Sequence, residues 1–145
     1  MGARGPDEHE DAPAFDLTLP ARAENVAVVR HAVGGLGEAL DVPDSVLSDM
    51  KLAVTEACTN VVVHAYPDAA DAGPMILAGR TNGGTLTLVV TDQGCGMVPR
   101  PDSPGLGLGL PLIATLTSSL EIGSKGAGSE LRMTFDLHGS RENRS

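Results

Sequence analysis

Apolar positions repeat along this chain with two periods, and each period marks an element. Phe15-Asp16-Leu17-Thr18-Leu19 alternates apolar with polar, as a half-buried strand does, and Pro20 ends it. Over residues 21–40, Val26, Val29, Val33, Leu36 and Leu40 recur at spacings of three and four, the stripe of an amphipathic helix. Gly34, Gly35 and Gly37 weaken the second half of that helix. Asp41-Val42-Pro43-Asp44 predicts a turn and a helix start, with Asp44 or Ser45 as cap. Residues 45–66 form the longest periodic stretch. Leu47, Met50, Val54, Ala57, Cys58, Val61 and Val62 mark its apolar face, and Pro67 stops it.

Residues 68–73 read as a loop. Residues 75–81 and 85–91 read as strands joined by Asn82-Gly83-Gly84, a turn-rich link that predicts a hairpin. A glycine-rich loop follows, then a helix over residues 110–120 that tolerates Pro111 near its start. Residues 120–124 and 129–137 predict a second hairpin around Lys125-Gly126-Ala127-Gly128. The order β, α, α, β, β, loop, α, β, β predicts an α+β fold. It is a two-layer sandwich, with a mixed, mostly antiparallel sheet and helices on one face. Residues 1–14 are rich in Gly, Pro and acidic groups with little to bury, which predicts a disordered tail. Residues 139–145 form a short polar tail. No internal repeat divides residues 15–138, which are read as one domain.

Charge and composition narrow the function. Ten Lys and Arg against nineteen Asp and Glu leave a net charge of −9, which argues against nucleic acid as a partner. Hydrophobic residues at 41% support a core, and aromatics at 2% make that core aliphatic. No apolar run approaches the length of a membrane span. The polar, acidic start lacks a signal peptide's apolar stretch. Cys58 and Cys95 make neither a disulfide framework nor a metal spacing, so the cytoplasm is the simplest compartment.

Three constellations carry chemistry. Glu56, Asn60 and His64 recur every fourth residue, on one face of the second helix. An acid beside an amide suits a hard cation such as Mg²⁺, or the acid takes a proton from a hydroxyl nucleophile. The same pattern also describes a plain solvated face. Asp92-Gln93-Gly94-Cys95-Gly96 leaves the end of an apolar strand. Its carboxylate can accept from an amino group such as adenine's, and its glycines let backbone come close to a flat ligand. An ordinary Asp-Gly turn reads the same way. Gly105-Leu106-Gly107-Leu108-Gly109 opens onto a helix, where backbone N–H groups can cradle phosphate. It is neither a P-loop nor a Rossmann fingerprint, since no Gly-Lys-Ser/Thr and no βαβ unit accompany it.

Taken in order, these motifs resemble those of the GHKL ATPase superfamily, whose members share the Bergerat ATP-binding fold. Glu56-x-x-x-Asn60-x-x-x-His64-Ala65 resembles its N box. Asp92-x-Gly94-x-Gly96 resembles the first glycine box, and Gly105-x-Gly107-x-Gly109 the second. Gly128-Ser129 resembles the last motif, usually Gly-Thr. The lid between the glycine boxes is short, and Glu56-Ala57-Cys58-Thr59-Asn60 with His64-Ala65-Tyr66 is similar to the anti-sigma-factor serine/threonine kinases.

The resemblance implies an ATP- and Mg²⁺-dependent protein kinase. Glu56 would be the general base and Asn60 the Mg²⁺ ligand. Asp92 would bind the adenine amino group, in a pocket shaped by Gly94 and Gly96. Gly105, Gly107 and Gly109 would hinge the lid and contact phosphate. Ser129 would hydrogen-bond near Asp92 and the base. Arg100, the lid's one basic residue, would neutralise phosphate charge, and reads equally as a solvated loop arginine. The partners implied are a sigma factor and an anti-anti-sigma (STAS-type) protein, with a homodimer as the assembly. Two alternatives stand beside this reading: an ATP-binding partner-capture regulator with little kinase activity, and a stand-alone histidine-kinase-like catalytic domain.

Overall fold

The computed structural model describes residues 13–67, 72–94, 104–126 and 128–138. In chain order these form β1 (Pro13–Pro20), α1 (Ala23–Ala39), α2 (Asp44–Asn60), a π-turn (Val61–Ala65), β2 (Pro74–Asn82), β3 (Thr85–Asp92), α3 (Pro104–Leu116), β4 (Ser119–Lys125) and β5 (Gly128–Asp136). The strands make one sheet in the order β1-β2-β3-β5-β4. All four pairings are antiparallel, so the described sheet has none of the parallel pairing that "mixed" anticipated. Both predicted hairpins are present, and their short Gly-containing turns are what permits antiparallel neighbours.

Side chains alternate across the sheet with period two. Met75 and Leu77 of β2, Leu86, Leu88 and Val90 of β3, and Leu131, Met133 and Phe135 of β5 are buried on one face. Helix residues Val29, Val33, Met50, Ala53, Val54, Ala57 and Ile113 close over that face and complete the aliphatic core. The opposite face carries Thr87 against Thr134 across the β3–β5 pair, and Arg132 against Glu130 and Glu121.

One glycine of α1 has a packing reason. Gly37 is buried against the side chain of Leu47, so α1 and α2 approach closely there. The helix then ends in a Schellman motif. Asp41 takes φ +57°, its N–H donates to Glu38 O, and the Val42 N–H donates to Gly37 O.

Several boundaries differ from the sequence reading. β1 begins at Pro13, two residues before the predicted strand. The helix predicted over residues 45–66 is α-helical only to Asn60, then widens into the π-turn. Three consecutive β-branched residues, Val61-Val62-Val63, form that weak point. The helix predicted over residues 110–120 runs instead from Pro104 to Leu116. Its second glycine box is therefore helix rather than loop, because packing against α2 outweighs the propensity cost of about 1 kcal/mol per glycine. Its end comes early because the Ser118 N–H donates to Thr134 O and draws the chain into the sheet.

Candidate nucleotide site

Asp92 ends β3 in the row occupied upstream by Leu86, Leu88 and Val90, so alternation turns a carboxylate toward the helices. It is fully buried, with relative exposure 0%. A buried carboxylate is stable only if its acceptors are met. The strand register places Ser129 opposite Asp92, and the Ser129 hydroxyl donates to Asp92 Oδ2 at 2.7 Å. The Gly94 N–H donates to Asp92 Oδ1 at 3.0 Å. A carboxylate has about four acceptor positions, so these donors leave capacity for an incoming amino group. The carboxylate is oriented before any ligand arrives.

Gly94 is a glycine for a steric reason. A Cβ there would overlap the carbonyl of Ala65, the last residue of the π-turn. The first glycine box and the N box are thus in direct contact. π-turns interrupt α-helices at functional sites more often than elsewhere.

Asn60 closes α2 immediately before the π-turn. Its exposure is 5%, and its Nδ2 has no hydrogen-bond partner among the described residues. Leaving a buried amide unpaired costs about 1–3 kcal/mol. A Cβ at Gly109 would stand 2.8 Å from that Nδ2, so the glycine leaves room beside the amide. The arrangement fits a side chain whose partner is a ligand: the amide oxygen suits a hard cation and the amide N–H₂ suits a phosphate oxygen. Glu56, one helical turn earlier, is half-buried, as is His64 in the π-turn.

Of the predicted site residues, the structure brings Asp92, Gly94 and Ser129 into one hydrogen-bonded group, and Asn60 against Gly109. Gly105 and Gly107 lie in the first turns of α3. Gly96 and Arg100 lie outside the described residues, as does Cys95. Cys58 is buried, and burial pushes its thiol up to about 12, which makes it a core residue without nucleophilic character. Among the described residues, a cleft of 460 Å³ lies elsewhere, lined by Arg30, His31, Gly34, Gly35, Glu38 and Lys51. None of the motif residues contributes to it.

In the sequence Tyr66 stands out only as the end of His64-Ala65-Tyr66, a motif that assigns it no role. Its hydroxyl donates to Pro74 O at 2.6 Å and accepts the Gln93 N–H at 2.9 Å. Burial raises its pKa, as does the nearby Asp92 charge, against the lowering effect of the Gln93 N–H. The signal available in sequence was a chain with one tyrosine, set at the end of its longest periodic stretch.

Residues 19–135 match the family model described as a histidine kinase-like ATPase domain. The chain belongs to that family. Within it, the chain is similar to the serine-protein kinase RsbW of Halalkalibacterium halodurans, at 37% identity over 83% of this chain and 81% of the relative. It is also similar to the RsbW of Bacillus thuringiensis, at 31% identity over 74% of this chain and 76% of that one. These relatives set this family member in the anti-sigma kinase branch. The fold recurs in a structure of RsbU and RsbW domains from Mycobacterium tuberculosis, with TM-score 0.67 and 20% identity. That match covers 85% of this chain and 31% of the other. The fold recurs again in the histidine kinase domain of a blue-light-activated kinase from Erythrobacter litoralis, with TM-score 0.59 and 22% identity over 86% of this chain and 64% of that one. Family membership implies ATP use. No helix among the described residues is long and apolar enough to cross a membrane.

Proposed function

We propose that this chain, an ATP-dependent serine/threonine protein kinase of the anti-sigma class, works through the buried group just described. Asp92 accepts a hydrogen bond from the adenine amino group while Ser129 and the Gly94 N–H hold its carboxylate. Asn60 is the protein ligand for Mg²⁺. Its amide oxygen is a hard donor of the kind Mg²⁺ takes, and the ion would supply charge neutralisation at the phosphates. Bound Mg²⁺·ATP supplies the phosphoryl group and neutralises its charge. Gly96 completes the adenine pocket. The glycine box on α3 and Arg100 contact the phosphates.

Glu56 acts on the acceptor. Placed one turn before Asn60, its carboxylate takes the proton of a partner's Ser or Thr hydroxyl as that oxygen bonds to the γ-phosphorus; the bond from phosphorus to the β–γ bridging oxygen breaks and ADP leaves. The protein's contribution is position and charge, because phosphoryl transfer needs little covalent help. The phospho-acceptor is an anti-anti-sigma protein of STAS type, a sigma factor is the sequestered partner, and the kinase works as a homodimer in the cytoplasm. RsbW relatives across most of the chain support this reading. The observation that carries it is Asn60: a buried side chain whose Nδ2 has no hydrogen-bond partner among the described residues, lying against the second glycine box.

A transfer assay with radiolabelled ATP and a candidate acceptor tests it. The expected product is acid-stable phosphoserine or phosphothreonine, and Glu56→Ala keeps ATP binding while losing transfer. Acid-labile phosphate on the acceptor would instead identify a histidine-directed kinase. Normal transfer by Glu56→Ala would remove Glu56 from the general-base role.

A further inference from the structure

We infer that Tyr66 is a positioning residue for adenine recognition: a clasp that fixes the backbone at Gln93 and thereby the carboxylate of Asp92. The inference rests on the assignment of Asp92 to the adenine amino group. Tyr66 follows the π-turn directly, and that turn begins just after Asn60. Its hydroxyl joins two backbone groups that are distant in sequence. It donates to the carbonyl of Pro74, where β2 begins, and accepts the N–H of Gln93, the residue after Asp92. The ring fills space kept open by two glycines. A Cβ at Gly73 would collide with the ring, and one at Gly94 would stand 2.8 Å from its Cδ1.

Ring and hydroxyl therefore act on different things. The ring packs between the chain segments at Gly73 and Gly94. The hydroxyl sets the path of the chain as it leaves β3. Gly94, two residues beyond Asp92, supplies the N–H that holds Asp92 Oδ1. Releasing the Gln93 N–H frees the turn that carries this donor. The Ser129 hydroxyl then remains as the side-chain anchor of Asp92. An Asp92 held at one oxygen instead of two discriminates less sharply for a donor aimed at it. The same clasp ties the segment bearing Asn60 to the segment bearing Asp92, so it sets the distance between the phosphate end and the base end of the nucleotide.

Tyr66→Phe keeps the ring and deletes the hydroxyl. The test measures binding of two nucleotides, ATP and the purine ribonucleoside triphosphate that lacks adenine's amino group. Wild type is expected to favour ATP by about tenfold or more, the worth of a hydrogen bond to a charged acceptor. Tyr66→Phe is expected to cut that preference at least about threefold, through weaker ATP binding with the amino-less nucleotide held nearly as before. Loss of affinity for both nucleotides in equal proportion, or an unchanged preference, overturns the inference, since a purely structural tyrosine gives one or the other. A wild type that does not distinguish the two nucleotides overturns the Asp92 assignment itself, and the inference with it.

Should Tyr66→Phe not fold, fluorotyrosine labelling decides, because the chain contains one tyrosine. Its fluorine NMR resonance is expected to shift further with ATP than with the amino-less nucleotide. Equal shifts, or none, overturn the inference.

Discussion

Asp92 is a carboxylate in a position where strand alternation otherwise supplies leucine and valine. Its cost of burial is offset by the Ser129 hydroxyl and the Gly94 N–H. Ser129→Ala removes one of these donors. The expected result is a loss of about 1–3 kcal/mol in folding stability with weakened ATP binding, read by urea denaturation and calorimetry. Cys58 makes a second residue-scale prediction. Its thiol ionises near 9.0 when free and near 12 in the folded chain. Below pH 9 both states keep the proton and no stability is lost. Above it the unfolded chain releases the proton first, so stability falls with pH at about 1.4 kcal/mol per unit until the folded thiol ionises too. Tyr66, also raised, adds a fall of the same sign starting higher, above its ordinary value of 10.0. Denaturation curves at pH 8, 9 and 10 should show a shallower decline in Cys58→Ala than in wild type.

Among the elements, α2 and α3 meet at Asn60 and Gly109. Gly109→Ala puts two effects in opposition. Alanine is a better helix former by about 1 kcal/mol, but its Cβ would stand 2.8 Å from the Asn60 amide and displace it. The expected outcome is a fold that survives thermal melting with Mg²⁺-dependent ATP binding sharply reduced. Weakened folding with unchanged nucleotide affinity would contradict the role given to that contact. At the end of α1, Asp41→Gly should raise stability by about 0.5–1 kcal/mol, since glycine meets a φ of +57° without steric cost. The elements also show where sequence patterns stop informing. Period-two alternation located β1, and the Gly-rich turns between the later strands located two hairpins with their antiparallel neighbours. Periodicity could not show the π-turn, because apolar residues continue through Val61 and Val62 while the backbone hydrogen bonding changes. The start of α3 was hidden for the opposite reason. Three glycines in its first two turns read as loop, and contact with α2 decides otherwise.

Across the whole molecule, the candidate site is where segments distant in sequence converge: the end of α2, the end of β3, the start of β5 and the body of α3. Asp92, Asn60, Gly94, Gly109 and Ser129 were legible because each sits in a spaced motif. That the Asn60 Nδ2 is buried without a hydrogen-bond partner among the described residues was not, because burial depends on what α3 packs against. Tyr66 was illegible for a related reason: its partners are backbone groups of Pro74 and Gln93, and backbone leaves no mark in a residue pattern. In the proposed function the buried pair Asn60 and Asp92 divides the work, one holding cation and phosphate, the other adenine. Calorimetric titration of ATP with and without Mg²⁺, into wild type, Asn60→Ala and Asp92→Asn, tests that division most directly. Wild type is expected to bind ATP with Mg²⁺ in the micromolar range, about −8 kcal/mol. Asn60→Ala is expected to lose the Mg²⁺ dependence, and Asp92→Asn to lose binding in both conditions. Wild type that binds no ATP, or variants that bind it as wild type does, would overturn this division of work.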